Sequence, residues 1–135
     1  MKTKGLFTFA ACSGALSVIL GAFAAHGLKS VLSPYLLGVF ETGVHYQFIH
    51  TLSILCCAIM LYLLRSDDEN KARKYFCRAA ICFMIGIFCF SGSLYLLALT
   101  GVKWLGPVTP FGGLCFIVGW LTMMMAAWNM KEVSS

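Results

Sequence analysis

ETGVHYQFIHTLSILCCAIMLYLL, residues Glu41 to Leu64, carries a carboxylate, two histidines, a tyrosine and a glutamine in its first ten positions and is almost wholly apolar afterwards. An apolar run of this length is what a helix needs to cross a bilayer, at about 1.5 Å per residue through about 30 Å of hydrocarbon. Polar groups at membrane depth are costly, so those in Glu41–His50 are functional-site candidates from the outset. At 100° per residue, Glu41 and His45 share one helix face. Tyr46, Gln47 and His50 share the nearly opposite one, with Gly43 above them. Glu41 and His45 sit nearer the surface, where charge is tolerated. Gln47 and His50 lie deeper and need partners.

Working outward from this stretch gives three more runs of the same kind, at about 5–25, 75–99 and 110–128. Four spans nearly exhaust the 135 residues, and no separate soluble domain fits beside them. The expectation is one integral membrane domain, 1–135: an all-α, four-helix transmembrane bundle running up-down-up-down. Composition agrees, with 60% hydrophobic and 11% charged residues and a mean hydropathy of +0.86. Soluble domains run near one quarter charged.

The basic start Lys2, Lys4 followed by an apolar run and Ala22-Phe23-Ala24 resembles a secretory signal peptide. The run exceeds a signal core, so it is read as the first span, with Ala10, Gly14, Gly21 and Ala25 as a small-residue packing stripe. His26-Gly27 reads as its end, Gly27 suiting a left-handed cap. Ser33-Pro34 is a helix-start signal. It opens either a short interfacial helix before the second span or the beginning of one long, tilted helix. The sequence leaves both open. Arg65–Arg78, RSDDENKARKYFCR, is the only strongly charged run and reads as a solvated loop plus the first turn of the third helix. Pro107 and Pro110 place the fourth helix's start near Pro110. There Gly112, Gly119 and Ala126 recur every seven residues, and Gly113 and, in the third span, Gly92 add further small packing positions.

Charge sets the orientation. Lys2, Lys4, Arg65, Lys71, Arg73, Lys74, Arg78 and Lys131 fall on one side, and only Lys29 and Lys103 on the other. The positive-inside rule therefore puts both termini in the cytoplasm. The net charge of +5 lies beside apolar runs, as topology determinants do; no basic patch interleaved with aromatics suggests nucleic acid. The partners expected are membrane lipids, with a homo-oligomer or another membrane protein.

On this topology the polar side chains of all four helices gather in the outer half: His26; Glu41, Thr42, Tyr46, Gln47 and His50; Ser91, Ser93 and Tyr95; Thr109. The inner half is nearly all apolar. An interhelical hydrogen-bond network is the plainest reading, with His26, Ser91 or Tyr95 as partners for Gln47 and His50. A proton or small-solute path in an oligomer, or a lipid, quinone or haem site, are the alternatives. No metal is expected, because too few ligands converge. No cofactor is expected either, and the seven cysteines, without a C-x-x-C, read as small apolar packing residues. Trp104, Trp120, Trp128 and Tyr62 read as interface anchors or packing. No nucleophile elbow, phosphate loop or H-E-x-x-H is present, so an enzyme is not expected.

GAFAAHGL (Gly21–Leu28), FETGVHYQFIH (Phe40–His50), FSGSLYLLALTG (Phe90–Gly101), LGPVTPFGG (Leu105–Gly113) and Gly119-Trp120 together resemble the YgdD-like family. These are small bacterial inner-membrane proteins with small transmembrane relatives in eukaryotes, grouped as a domain of unknown function. The resemblance covers almost the whole chain and implies a four-helix inner-membrane protein. It supplies no activity. Ala24 and Gly43 are small-for-small departures from the family pattern. The pattern specifies the position of His45 loosely, which makes His45 a weaker candidate than Gln47 or His50.

Overall fold

The computed structural model describes residues 2–66 and 70–131. Among them the elements are α1 (Thr3–Phe23) with a π-helical continuation, Ala24–Leu28; α2 (Pro34–Leu63); α3 (Lys71–Gly86); a second π turn, Ile87–Ser91; α4 (Gly92–Thr100); and α5 (Val108–Trp128). They make four helices long and apolar enough to cross a membrane: Thr3–Leu28, Pro34–Leu63, Lys71–Thr100 and Val108–Trp128.

Local chemistry explains most of the ends. Ser33 caps α2 by accepting from the Leu36 amide at 3.3 Å, with Pro34 in the first helical position. From there α2 continues without a break to Leu63, so residues 34–40 are the start of the second helix and no separate interfacial helix precedes it. Asn70 caps α3, its side-chain oxygen accepting from the Ala72 and Arg73 amides. The third helix therefore begins at Lys71, four residues before the sequence-based start, and takes up most of the charged run. Asp67, Asp68 and Glu69 lie outside the described residues.

Gly27 does not form a left-handed cap. The backbone passes through it as a π turn to Leu28, and a β-carbon at Gly27 would fall 2.7 Å from the Phe23 ring. The left-handed cap is at Gly101, φ 70°, where the third span ends.

The second helix is the axis of the molecule. Phe40, Gly43, Gln47, His50, Ile54, Cys57 and Leu61 are all buried and alternate at spacings of three and four. That is the seam pattern of a helix that meets partners along its whole length. Gly21 lies against Val44 and Gly14 against Thr51, so residue numbers run in opposite senses along α1 and α2. The same reversal relates α2 to the third span, where Ser91 reaches the Gly43 carbonyl and Phe83 the His50 ring.

Between the third span and α5 the tightest contacts set glycine against phenylalanine. A β-carbon at Gly112 would overlap the Phe90 backbone, one at Gly86 the Phe116 ring, and one at Gly119 would lie 2.6 Å from Phe83. The second and third spans are the more enclosed, with 44% and 39% of an apolar 18-residue stretch buried, against 22% for each of the first and fourth. The first and fourth are edge helices.

Candidate functional site

The polar residues form three separate knots. The first ties the first span to the second and third. The Gln47 side-chain amide donates to the Ser13 carbonyl at 3.1 Å and to the Ser13 hydroxyl at 3.3 Å. Its oxygen accepts from the Tyr95 hydroxyl at 2.6 Å. The Ser13 and Thr51 hydroxyls are 2.6 Å apart, and Ser17 donates back to the Ser13 carbonyl at 2.9 Å. Helical spacing builds the knot: Ser13 and Ser17 lie one turn apart on α1, and Gln47 and Thr51 one turn apart on α2.

The second knot joins the second span to the fourth. His50 Nδ1 lies 2.7 Å from the Tyr46 carbonyl, and Trp120 Nε1 donates to His50 Nε2 at 3.1 Å. A neutral ring carrying its proton on Nδ1 satisfies both bonds. The ring also stacks on Phe116, centroids 3.5 Å apart and planes at 7°. Tyr46, Phe90, Phe83 and Trp120 continue this into one aromatic cluster.

The third knot is small and lies toward the 101–107 turn. Ser93 donates to the Phe90 carbonyl at 2.9 Å and sits 2.5 Å from the Thr109 hydroxyl, linking α4 to α5. Nearby, Ser91 donates to the Gly43 carbonyl at 2.7 Å, across to α2.

Set against the sequence-based candidates, Gln47, His50, Ser91, Ser93, Tyr95 and Thr109 all bridge helices. Tyr46 takes part through its backbone and ring. Glu41 and Thr42 are exposed, and the Thr42 hydroxyl bonds the Gly38 carbonyl of its own helix. His26 is exposed and belongs to none of the knots. Its π turn presents Ala24 and Leu28 to the protein and leaves His26 outside. Gly92 is not a packing glycine, since a β-carbon there would meet nothing within 4 Å. Gly14, Gly21 and Gly113 make ordinary close contacts, and Gly112 and Gly119 the tight ones.

Sequence reasoning missed Ser13, Ser17 and Thr51, and took Trp120 for an anchor or a packing residue. A signal was present. Leu6, Ala10, Ser13 and Ser17 form the buried stripe of α1 at helical spacing. It is rotated from the Ala10, Gly14, Gly21, Ala25 stripe read from residue size. Among the described residues no group of three or more His, Cys, Asp or Glu could hold a metal ion.

Four helices of spanning length, cross-linked by hydrogen bonds between buried side chains, define a small integral membrane protein. Residues 20–113 match the family model described as "Protein of unknown function (DUF423)". The chain is 40% identical to a UPF0382 membrane protein of Haemophilus influenzae over 134 residues, covering 98% of this chain and 100% of the relative. It is 36% identical over 132 residues to the UPF0382 inner membrane protein YgdD of Escherichia coli, covering 98% and 95%. It is 36% identical over 124 residues to the UPF0382 membrane protein YwdK of Bacillus subtilis, covering 92% and 96%. The chain belongs to this family. No solved structure gives a significant match.

Proposed function

We propose that the protein is a non-enzymatic component of the bacterial inner membrane, crossing it up-down-up-down with both termini in the cytoplasm. In this reading the polar knots hold the bundle, and the exposed faces of the edge helices meet lipid, a second copy or another membrane protein. One observation carries the structural role: the buried side chains of Gln47 and His50 have every polar atom engaged within the chain. A site for an ion or a solute needs groups left over for it, and these have none to spare. The family's inner-membrane members and the lopsided Lys/Arg count support the location and orientation.

Purified Gln47→Leu and wild type are compared for resistance to unfolding in mild detergent, and wild type in liposomes for pH-dependent flux of a panel of small solutes. The expected result is a weakened variant and no flux. A variant of unchanged stability and assembly, beside a wild type that moves a defined solute and a variant that does not, overturns the reading. Reporter fusions at both termini and in the 101–107 turn test the orientation.

A further inference from the structure

The second span is the most enclosed of the four, yet one stripe of it faces outward. His45, Phe48, Leu52, Ile59 and Tyr62 are exposed there, and with the half-buried Leu55 they recur at spacings of three and four. The stripe runs along the side of α2 opposite Gly43, Gln47 and His50, which face the bundle. That spacing is the seam along which two parallel helices pair.

Its upper end is polar. Glu41, one turn before His45, is the only carboxylate in the four spans, and both side chains are exposed. Neighbouring Val44 lies against Gly21, and the first span runs on from there to Leu28, so His45 stands about 10 Å inside the end of the bundle. Among the described residues neither the Glu41 carboxylate nor the His45 ring nitrogens have a hydrogen-bond or ion-pair partner, and the two do not pair with each other. Groups of this kind left facing hydrocarbon are costly, and in membranes they pair with one another. The outward faces of the first span from Leu16 to Phe23 and of the fourth from Phe111 to Trp128 carry neither carboxylate nor imidazole, and lipid tails match them.

Lipid tails offer Glu41 and His45 nothing, whereas a second copy offers both what they lack. Copies inserted the same way carry the stripe at the same depth, so a twofold axis along the membrane normal brings it against itself. Glu41 of each copy then faces the second copy's His45 across an offset of about 6 Å, one helical turn. The carboxylate accepts and the imidazole carries an N–H in either tautomer, so the match is made twice by symmetry. Beside the pair, a notch of about 250 Å³ opens between α1 and α2, walled by Gly21, Ala24 and Val44. Small residues there let a second helix come close.

We propose that the protein forms a parallel homodimer through this stripe of α2, with Glu41 of each copy accepting a hydrogen bond from His45 of the other. The dimer face is thus assigned to the second span, away from the edge helices, and it does not draw on the polar knots.

Two measurements test it. The first is the monomer–dimer equilibrium in mild detergent for wild type, Glu41→Ala, His45→Ala and the exchange Glu41→His with His45→Glu. Both side chains are exposed, so the variants keep the monomer fold. Each single variant removes two symmetry-related bonds and is expected to weaken the dimer about tenfold, and the exchange to restore it. The second is oxidative cross-linking in native membranes of Leu52→Cys, in a chain whose exposed native cysteines are removed by Cys12→Ser and Cys56→Ser. A dimer band is expected there and not for Ile117→Cys, on the outward face of α5. A wild type that is monomeric in both settings overturns the proposal. Cross-linking through Ile117→Cys alone overturns the face. Single variants that dimerise as wild type does overturn the pair, as does a dimer that a chelator takes apart, since Glu41 and His45 would then be holding a metal ion. A dimer that behaves as expected beside a Gln47→Leu variant of unchanged stability would defeat the structural role of the knots and leave this interface standing.

Discussion

The first and fourth spans are edge helices of equal exposure, yet they are held in different ways. The first is bonded: Ser13 reaches both Gln47 and Thr51, and the glycines beside it make only ordinary contacts. The fourth is fitted: Gly112 and Gly119 let Phe90 and Phe83 sit where side chains would otherwise be, and Phe116 lies over Gly86. Lipid tails are as apolar as leucine, so burial alone does not drive helices together in a membrane; hydrogen bonds and close packing do. The two attachments also respond differently to damage. A polar group that loses its partner can find another in the membrane, which limits the cost. A backbone held off by an extra methyl group has no such recourse.

The comparison can be broken in order of expected effect. Gly112→Val should cost most, about 3 kcal/mol, because the new side chain must displace the Phe90 backbone. Unfolding titrations in mixed micelles would read it, and a cost below that of Gln47→Leu would show that fit is not what holds the fourth span. Gln47→Leu should cost about 1–2 kcal/mol, since it removes bonds to both Ser13 and Tyr95 in one step. Cysteine cross-linking between the first and second spans should show the first span loosened and the fourth unmoved. Trp120→Phe keeps the ring and removes the donor to His50, for about 0.6 kcal/mol; a larger loss would mean that the fourth span too is held by a bond. Gly92→Ala should change stability by less than about 0.5 kcal/mol, as open space surrounds that position. A clear loss there would point to a contact made only in the assembled membrane form.

Much of this was legible in the sequence, and the failures have physical causes. Span number follows from the length of the apolar runs, and Gln47 and His50 stand out because amide and imidazole groups are rare at depth. Serine and threonine do not stand out. They bond their own helix's carbonyls at little cost, as Ser53 does with Ile49, so the reach of Ser13 and Thr51 across to other helices is masked, and the stripe Leu6, Ala10, Ser13 and Ser17 is its one faint sign. Trp120 misled because indole favours interfaces, whereas here its N–H finds a histidine well inside the span. His26 lies in one π turn and Gly92 just after the other, where the 100° step fails and a face carried along the helix on that step would slip.

That slip has a consequence of its own. Below Ile87 the third span is pressed chiefly against the fourth; above Ser91 it leans on the second, through Ser91 and Tyr95. The wide turn between them works as a swivel, letting one rod change neighbours halfway along without bending out of the bilayer. Removing a single residue from 87–91 would tighten the swivel into ordinary helix and turn one half by about 100° relative to the other. Tyr95 would then leave Gln47, or Phe83 and Gly86 would leave the fourth span. Tolerance of length, more than tolerance of substitution, is therefore where this segment is brittle.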